Sequence, residues 1–197
     1  GLFGSRYFGP PMIHNGADDN ASGVAAMLWL ADQLKQSELT SHNYLFIGFS
    51  GEELGLYGSK HFVKNPTIDL AEVNYMLNMD MVGHLNEEKI LTINGVGTSP
   101  AWKPALDKIQ VDGIEDIVTT ESGVGPSDHT SFYLEDIPSL HFFTGAHDQY
   151  HKPGDDAPLI NYEGMQAIGT YMLKLVEQMD GAGELAFSKT KDEQKDT

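Results

Sequence analysis

Cysteine is absent from the 197 residues, which removes disulfides, Cys-ligated zinc, iron–sulfur clusters and thiol nucleophiles together. Basic residues are scarce: 12 Lys and Arg face 29 Asp and Glu, a formal balance of −17. A surface that acidic repels phosphate backbones, so neither nucleic acid nor an anionic membrane is an expected partner. No apolar run approaches the roughly 18 residues of a membrane span. No basic stretch leads into an apolar one, so no signal peptide is expected within these residues. There is no Gly-x-x-x-x-Gly-Lys-Ser/Thr loop for a nucleotide. What is plentiful is ligand chemistry. Eight histidines among 29 carboxylates make His/Asp/Glu metal binding the first hypothesis. With 40% hydrophobic residues, a chain of this length is expected to form one domain with a real core.

The hydrophobic pattern alternates between two periods. After a Gly- and Pro-rich loop over Gly1–Asn15, apolar residues at Val24, Met27, Leu28, Ala31 and Leu34 predict a helix with that buried face, capped by Asn20 or Ser22. Tyr44–Phe49 is a continuous apolar run, as in a strand covered on both sides, and it gives way at Ser50-Gly51 to Glu52, Glu53 and a second helix ended by Pro66. Further strands are predicted over Val73–Met79, Lys89–Asn94 and Ile137–Phe143, and helices over Trp102–Ile109, Ser127–Leu134 and Tyr162–Met179. This predicts an α/β domain, with a largely parallel or mixed central sheet flanked by helices, over residues 1–183. Residues 184–197 read as a charged, disordered tail.

In open α/β sheets ligands gather beyond the carboxyl ends of the strands. The polar residues that follow the apolar runs are Glu52 and Glu53, Asp80, and His147 to His151, with Asp18 and Asp19 just before the first helix. Carboxylates and histidine converging on one edge repel unless a cation sits among them. Each has a plainer role when taken alone: Glu52-Glu53 as helix-dipole partners, Asp80 as a turn residue, His151 as a solvated loop histidine. Asp18-x-Asn20-x-Ser22-Gly23 begins like a calcium loop, but the twelfth position, which needs a bidentate Glu, is Trp29. Asn20-Ala21-Ser22 is a nominal glycosylation sequon, and a glycan there would block the converging carboxylates. Ser127-Asp128-His129 names a serine triad, yet sequence neighbours rarely adopt triad geometry. Gly48-Phe49-Ser50-Gly51 lacks the glycine spacing of a nucleophile elbow.

Five blocks carry a resemblance: Gly16-Ala17-Asp18-Asp19-Asn20-Ala21-Ser22-Gly23, Phe49-Ser50-Gly51-Glu52-Glu53-Leu54-Gly55-Leu56-Tyr57-Gly58-Ser59, Asn78-Met79-Asp80-Met81-Val82-Gly83, Ser127-Asp128-His129-Thr130-Ser131-Phe132, and Tyr150-His151-Lys152-Pro153-Gly154-Asp155-Asp156. In this order, from about Ile13 to Met179, the chain resembles the M28 family of zinc aminopeptidases. The resemblance implies a zinc-exopeptidase (phosphorylase/hydrolase-like) fold and two zinc ions about a bridging water. It implies Asp18 as the bridging ligand, Glu53 and His151 on one zinc, Asp80 on the other, and Glu52 as general base. Tyr150 is placed to stabilise the oxyanion. Asp19, Asp128, His129 and Asp155 are implied as supporting or substrate-facing residues, with Asp155 or Asp156 orienting His151 through its other ring nitrogen. The expected substrates are peptides with a free N-terminus. The expected location, from the resemblance alone, is the periplasm or the medium. The alternatives are a single-zinc enzyme like glutaminyl cyclase and a catalytically inactive binding relative. The family carries a further metal-ligating histidine in an upstream His-x-Asp block, with no counterpart here. His14 lacks the preceding apolar strand, so the expectation is a domain lacking its N-terminal part, with one zinc site incomplete in this chain.

Overall fold

The computed structural model describes residues 4–191. Four strands form one mixed sheet in the order β1-β4-β2-β3: β1 (Met76–Met79), β2 (Ile90–Asn94), β3 (Asp116–Thr120) and β4 (Ser139–Phe143). β1 and β4 run parallel, with Asn78 beside His141, whereas β2 meets β4 antiparallel and β3 follows β2 in parallel. Because β1 and β4 are parallel, their carboxyl ends share one edge. The chain segments that follow them, starting at Asp80 and at Thr144, therefore emerge side by side.

Helices cover both faces. α1 (Gly23–Gln36), α3 (Trp102–Leu106) and α5 (Tyr162–Asp180) lie on one side, and α2 (Tyr57–Lys64) and α4 (His129–Tyr133) on the other. The alternation of β4 serves both: Leu140 and Phe142 enter the larger core with Leu91, Ile93, Trp102, Ile168, Met172 and Leu175, while His141 turns toward α4. Each fully buried aliphatic side chain of that core stabilises by about 1.5–3 kcal/mol. The smaller core joins Val63, Phe132 and Ile137, with the rings of Phe49 and Phe62 tilted against Phe132. Among the described residues no helix is long and apolar enough to cross a membrane.

Three expectations are corrected. α1 buries Ala26, Leu30 and Leu34, of which only Leu34 belongs to the predicted stripe, and Val24 and Leu28 are exposed. The run Val24–Ala31 is apolar almost all round, so its periodicity cannot select a face. Tyr44–Phe49 forms no strand and pairs with none among the described residues, leaving Leu45 and Phe46 exposed; a cleft of about 320 Å³ lies between Ile47–Phe49 and β1. An apolar run becomes a strand only where a partner supplies the ladder hydrogen bonds. The predicted tail is, through residue 191, part of the fold. Leu185 is buried, Phe187 packs on Tyr133 at 5.6 Å between ring centroids, and the Ser188 N–H donates to the Thr98 carbonyl. Residues 192–197 of that tail lie outside the described residues. β3 is the strand that pattern reading does not find. It is an edge strand with only Ile117 half-buried.

On the α4 side, His129 and His141 stack at 4.7 Å between centroids, both buried. Burial pushes His141 down to about 4 and holds His129 well below the usual histidine range. A histidine depressed in the folded state binds its proton more readily when unfolded. Its contribution is therefore complete above the unfolded value near 6.5 and is lost as pH falls toward 4. We expect the urea midpoint to drop between pH 7 and pH 5, by an amount to which His141 alone contributes on the order of 2 kcal/mol. A His129→Phe/His141→Phe double variant should flatten that slope; an unchanged slope would contradict the assignment.

Candidate metal centre

The site begins where the chain enters α1. Gly16 adopts a left-handed conformation (φ 62°), and the backbone leaves helical angles at Asp19 and Asn20 before α1 starts. Asn20 fastens this bend to the end of β1. Its side chain donates to the Met79 carbonyl and accepts from the N–H groups of Gly23 and Met81. Gly23 must lack a side chain, because a Cβ there would collide with the Met79 carbonyl. The non-helical bend sends the two neighbouring acids apart. Asp18 turns inward, fully buried, where it accepts from Gly83 N–H at 2.7 Å and Ser22 Oγ at 3.0 Å. Asp19 turns outward to His151.

Glu52 and Glu53 sit on a single tight turn (Glu52–Leu54), preceded by Gly51 at φ 69°. Gly58 carries no Cβ because the backbone of Ser50 lies against it, which lets α2 start directly behind the turn. Consecutive residues of such a turn point in different directions. Glu53 Oε1 lies 3.0 Å from His151 Nε2, and Asp19 Oδ2 lies 3.0 Å from the same nitrogen. Glu52 instead lines the neighbouring cleft with Asp80 and Asp128. Asp19 and Glu53 form part of the wall of both that cleft and a cavity of about 500 Å³ on the His151 side.

The remaining parts come from the carboxyl ends of β1 and β4. Asp80 is held by Ser127 Oγ at 2.7 Å, which in turn accepts from Asn78. His151 is one of few non-glycine residues with left-handed backbone (φ 58°), a conformation that costs of order 1–3 kcal/mol. Arg6 N–H donates to its carbonyl, and the Arg6 guanidinium stands 4.5 Å from the Tyr150 ring, which packs against His151.

Positive charge is confined to the outer side of the site, where Lys152 lines the His151-side cavity and Arg6 stands on Tyr150. No Lys or Arg lines the Glu52 cleft. Burial, followed by the charges of Glu53 and Asp80, raises Asp19 to about 7. Burial, then Asp80, Glu53, Asp128 and Asp19, raises Glu52 to about 8. Asp80 is raised by burial, with the Ser127 hydrogen bond acting the other way. Burial, reinforced by Asp19 and Glu53, raises the Tyr150 hydroxyl to about 12, so it remains a donor. His151 Nε2, buried, has two carboxylates in contact and no hydrogen-bond partner. Two carboxylate oxygens about one imidazole nitrogen, spaced as ligands around one ion and short of positive charge, fit a divalent cation of the zinc type.

Several expected residues fall elsewhere. Asp19, not Asp18, meets Glu53 and His151; Asp18 faces His84 and His147 on the other side of the bend. Asp155 does not orient His151. Its two oxygens accept the backbone N–H groups of Asp18 at 2.9 Å and Asp19 at 3.0 Å, fixing the bend itself. Asp156 accepts from Asn15. His129 is buried against His141 and lines neither the Glu52 cleft nor the His151-side cavity, because its short helix turns it inward. Asp128 does line the Glu52 cleft, bonded to Ser59 Oγ at 2.5 Å. Glu53, Glu52, Asp80, Tyr150 and His151 all converge on the expected edge. His84, which stacks on His147 behind the site, carries no sequence signal of its own.

The sequence matches peptidase family M28 over residues 3–176. It is 33% identical over 167 residues to the aminopeptidase YwaD of Bacillus subtilis, a match covering 78% of this chain and 35% of that protein. The crystal structure of BSAP, a zinc aminopeptidase from B. subtilis, superposes with a TM-score of 0.72 at 31% identity, over 90% of this chain and 44% of that one. A glutaminyl cyclase from Bacteroides thetaiotaomicron shares the fold, with a TM-score of 0.59 at 23% identity, over 82% of this chain and 62% of that one. The chain thus spans between about a quarter and just over half of the length of the curated relatives it matches.

Proposed function

The chain belongs to peptidase family M28, and on that premise we propose that it acts as a zinc-dependent aminopeptidase, releasing the N-terminal residue of peptides. The observation that carries this reading is the contact of Asp19 and Glu53 with the unpartnered Nε2 of His151. These three side chains would hold one zinc. Asp80 would hold a second, with Asp19, which borders both cavities, as the shared ligand. Zinc bound there supplies a Lewis acid that polarises the scissile carbonyl and lowers the pKa of water.

The chain's own groups supply the proton traffic. Glu52 takes the proton of the attacking water as its oxygen bonds to the carbonyl carbon. The same proton then passes to the nitrogen of the departing amine as the C–N bond breaks. Burial and the surrounding carboxylates raise Glu52 to about 8 in the metal-free cleft. The charge of bound zinc would bring it back down, leaving a carboxylate that accepts a proton from water and returns it. Tyr150 keeps its proton and donates to the oxygen on which charge develops. The surplus of carboxylates facing the Glu52 cleft attracts a substrate's free α-ammonium.

A second reading, cyclisation of an N-terminal glutamine around a single zinc, is favoured by the fact that one three-ligand group is assembled about His151 while Asp80 is engaged by Ser127. The two are separated by one experiment on the protein expressed from its own gene. Zinc content near two per chain, with release of anilide from leucyl anilide but not from its N-acetyl form, is expected. One zinc, with ammonia released from an N-terminal glutaminyl peptide, would favour the cyclase; neither activity would contradict both.

A further inference from the structure

We infer that His147 is a positioning residue for the metal cluster, holding the Asp19 bend against the His151 turn through its contact with Asp18. This rests on reading Asp19, Glu53 and His151 as metal ligands.

The two segments that meet at the cluster also meet behind it. In front, Asp19 Oδ2 is 3.0 Å from His151 Nε2; behind, Asp18 Oδ2 is 3.2 Å from His147 Nε2. Asp18 immediately precedes Asp19, and His147 precedes His151 by one tight turn closed by the Tyr150 N–H to His147 carbonyl bond. The second contact therefore controls how far apart the first pair sits. Asp18 is suited to the task because it is fully buried and its other oxygen is already tied to Gly83 N–H and Ser22 Oγ. It can move only if the start of α1 and the turn after β1 move with it.

The protonation of His147 follows from its neighbours. Gln149 N–H donates to Nδ1 at 3.2 Å. That nitrogen must present a lone pair, so the neutral ring carries its proton on Nε2, the atom facing Asp18. Nε2 of His147 and Oδ2 of Asp18 face each other at 3.2 Å without hydrogen-bond alignment, and neither has a hydrogen-bond partner. A buried carboxylate oxygen left without a donor is costly, and this proton is the one within reach. His84 lies flat on His147, with ring centroids 3.9 Å apart and planes within 10°, and limits its rotation.

Asp18, His84 and His147 could also be read as a separate cation site, since one ligand atom from each lies within reach of a common ion. The tautomer argues against that. An imidazole binds metal through a lone pair, and the Gln149 bond leaves the lone pair of His147 on the wrong nitrogen. Positioning by an Nε2–H donor is the reading these contacts favour.

The test is zinc titration of the chain against a competing chelator, with nitrogen-15 NMR of the histidine rings. His147→Ala should weaken zinc binding by about 10–100-fold, the usual cost of losing an outer partner of a ligand. His147→Gln, whose amide N–H reaches the place of Nε2, should recover most of that loss, and His147→Asn, one methylene shorter, should not. Asn takes the place of Ala if the Ala variant does not fold. The metal-free protein should show His147 protonated at Nε2. Parent-like affinity in His147→Ala, a Gln variant no better than Ala or Asn, or a proton on Nδ1 would each overturn the inference. A parent chain that binds no zinc would instead overturn the metal reading, and this inference with it.

Discussion

Replacing Glu52 with Gln is expected to lower aminoacyl-anilide hydrolysis by about 10²–10⁴-fold, the range carried by a positioned general acid–base, with zinc content unchanged. The substitution keeps the shape of the side chain and removes its capacity to accept a proton. Glu52 lines the cleft with Asp80 and Asp128 yet lies outside the group around His151, so chemistry and metal binding should separate at this residue. Hydrolysis at the parent rate would refute Glu52 as the base. A variant that lost zinc along with activity would make Glu52 a ligand instead. The loss should fall mainly on kcat, because proton transfer belongs to the transition state and not to substrate binding.

The second large effect has opposite signs with and without metal. In the parent, zinc at 100 times its Kd should stabilise the fold by about 2.7 kcal/mol. In Asp19→Asn that increment should nearly disappear, because one of the two carboxylates in contact with His151 Nε2 is gone. Without metal the variant should be the more stable protein at pH 8. Burial and the charges of Glu53 and Asp80 raise Asp19 to about 7. A carboxyl raised in this way contributes stability below its unfolded value, near 4, and loses it as pH climbs through about 7. Above that pH the ionised Asp19 strains against its neighbours, and Asn does not. Parallel melting curves with and without zinc at pH 5 and pH 8 read both effects. An Asp19→Asn protein that kept the zinc increment, or melted below the metal-free parent at pH 8, would contradict the account.

Why Asp19 and not Asp18 takes this place illustrates what a sequence can carry. The blocks around Asp18-Asp19, Glu52-Glu53, Asp80 and His151 are legible, and so is their convergence, because parallel β1 and β4 bring their carboxyl ends to one edge. The choice between adjacent acids is not legible. It depends on non-helical angles at Asp19 and Asn20, which Asn20 enforces by bonding to Met79, Gly23 and Met81. None of those partners is near in sequence except Gly23. The role of Asp155 is hidden for the same reason, since the donors to its carboxylate are backbone N–H groups more than a hundred residues away.

The fold shows the same division. α5 is found from its stripe because Ile168, Met172 and Val176 recur at helical spacing and are buried, while α1 is apolar almost all round over Val24–Ala31 and its face is decided by α5 and β1. Tyr44–Phe49 has strand composition without a strand partner, and β3 has a partner without a buried face. Leu185 and Phe187 anchor a stretch whose charged neighbours suggest a tail. In each case the missing information is the surface that the segment meets.

The claim on which the rest depends is that Asp19, Glu53 and His151 share one metal ion. Crystals of the protein grown with zinc, measured on either side of the zinc absorption edge, test it directly. The account predicts an anomalous peak at about 2.0–2.2 Å from Asp19 Oδ2, Glu53 Oε1 and His151 Nε2. A peak against Asp18 and His147 with none at these three atoms, or no peak at saturating zinc, would contradict it.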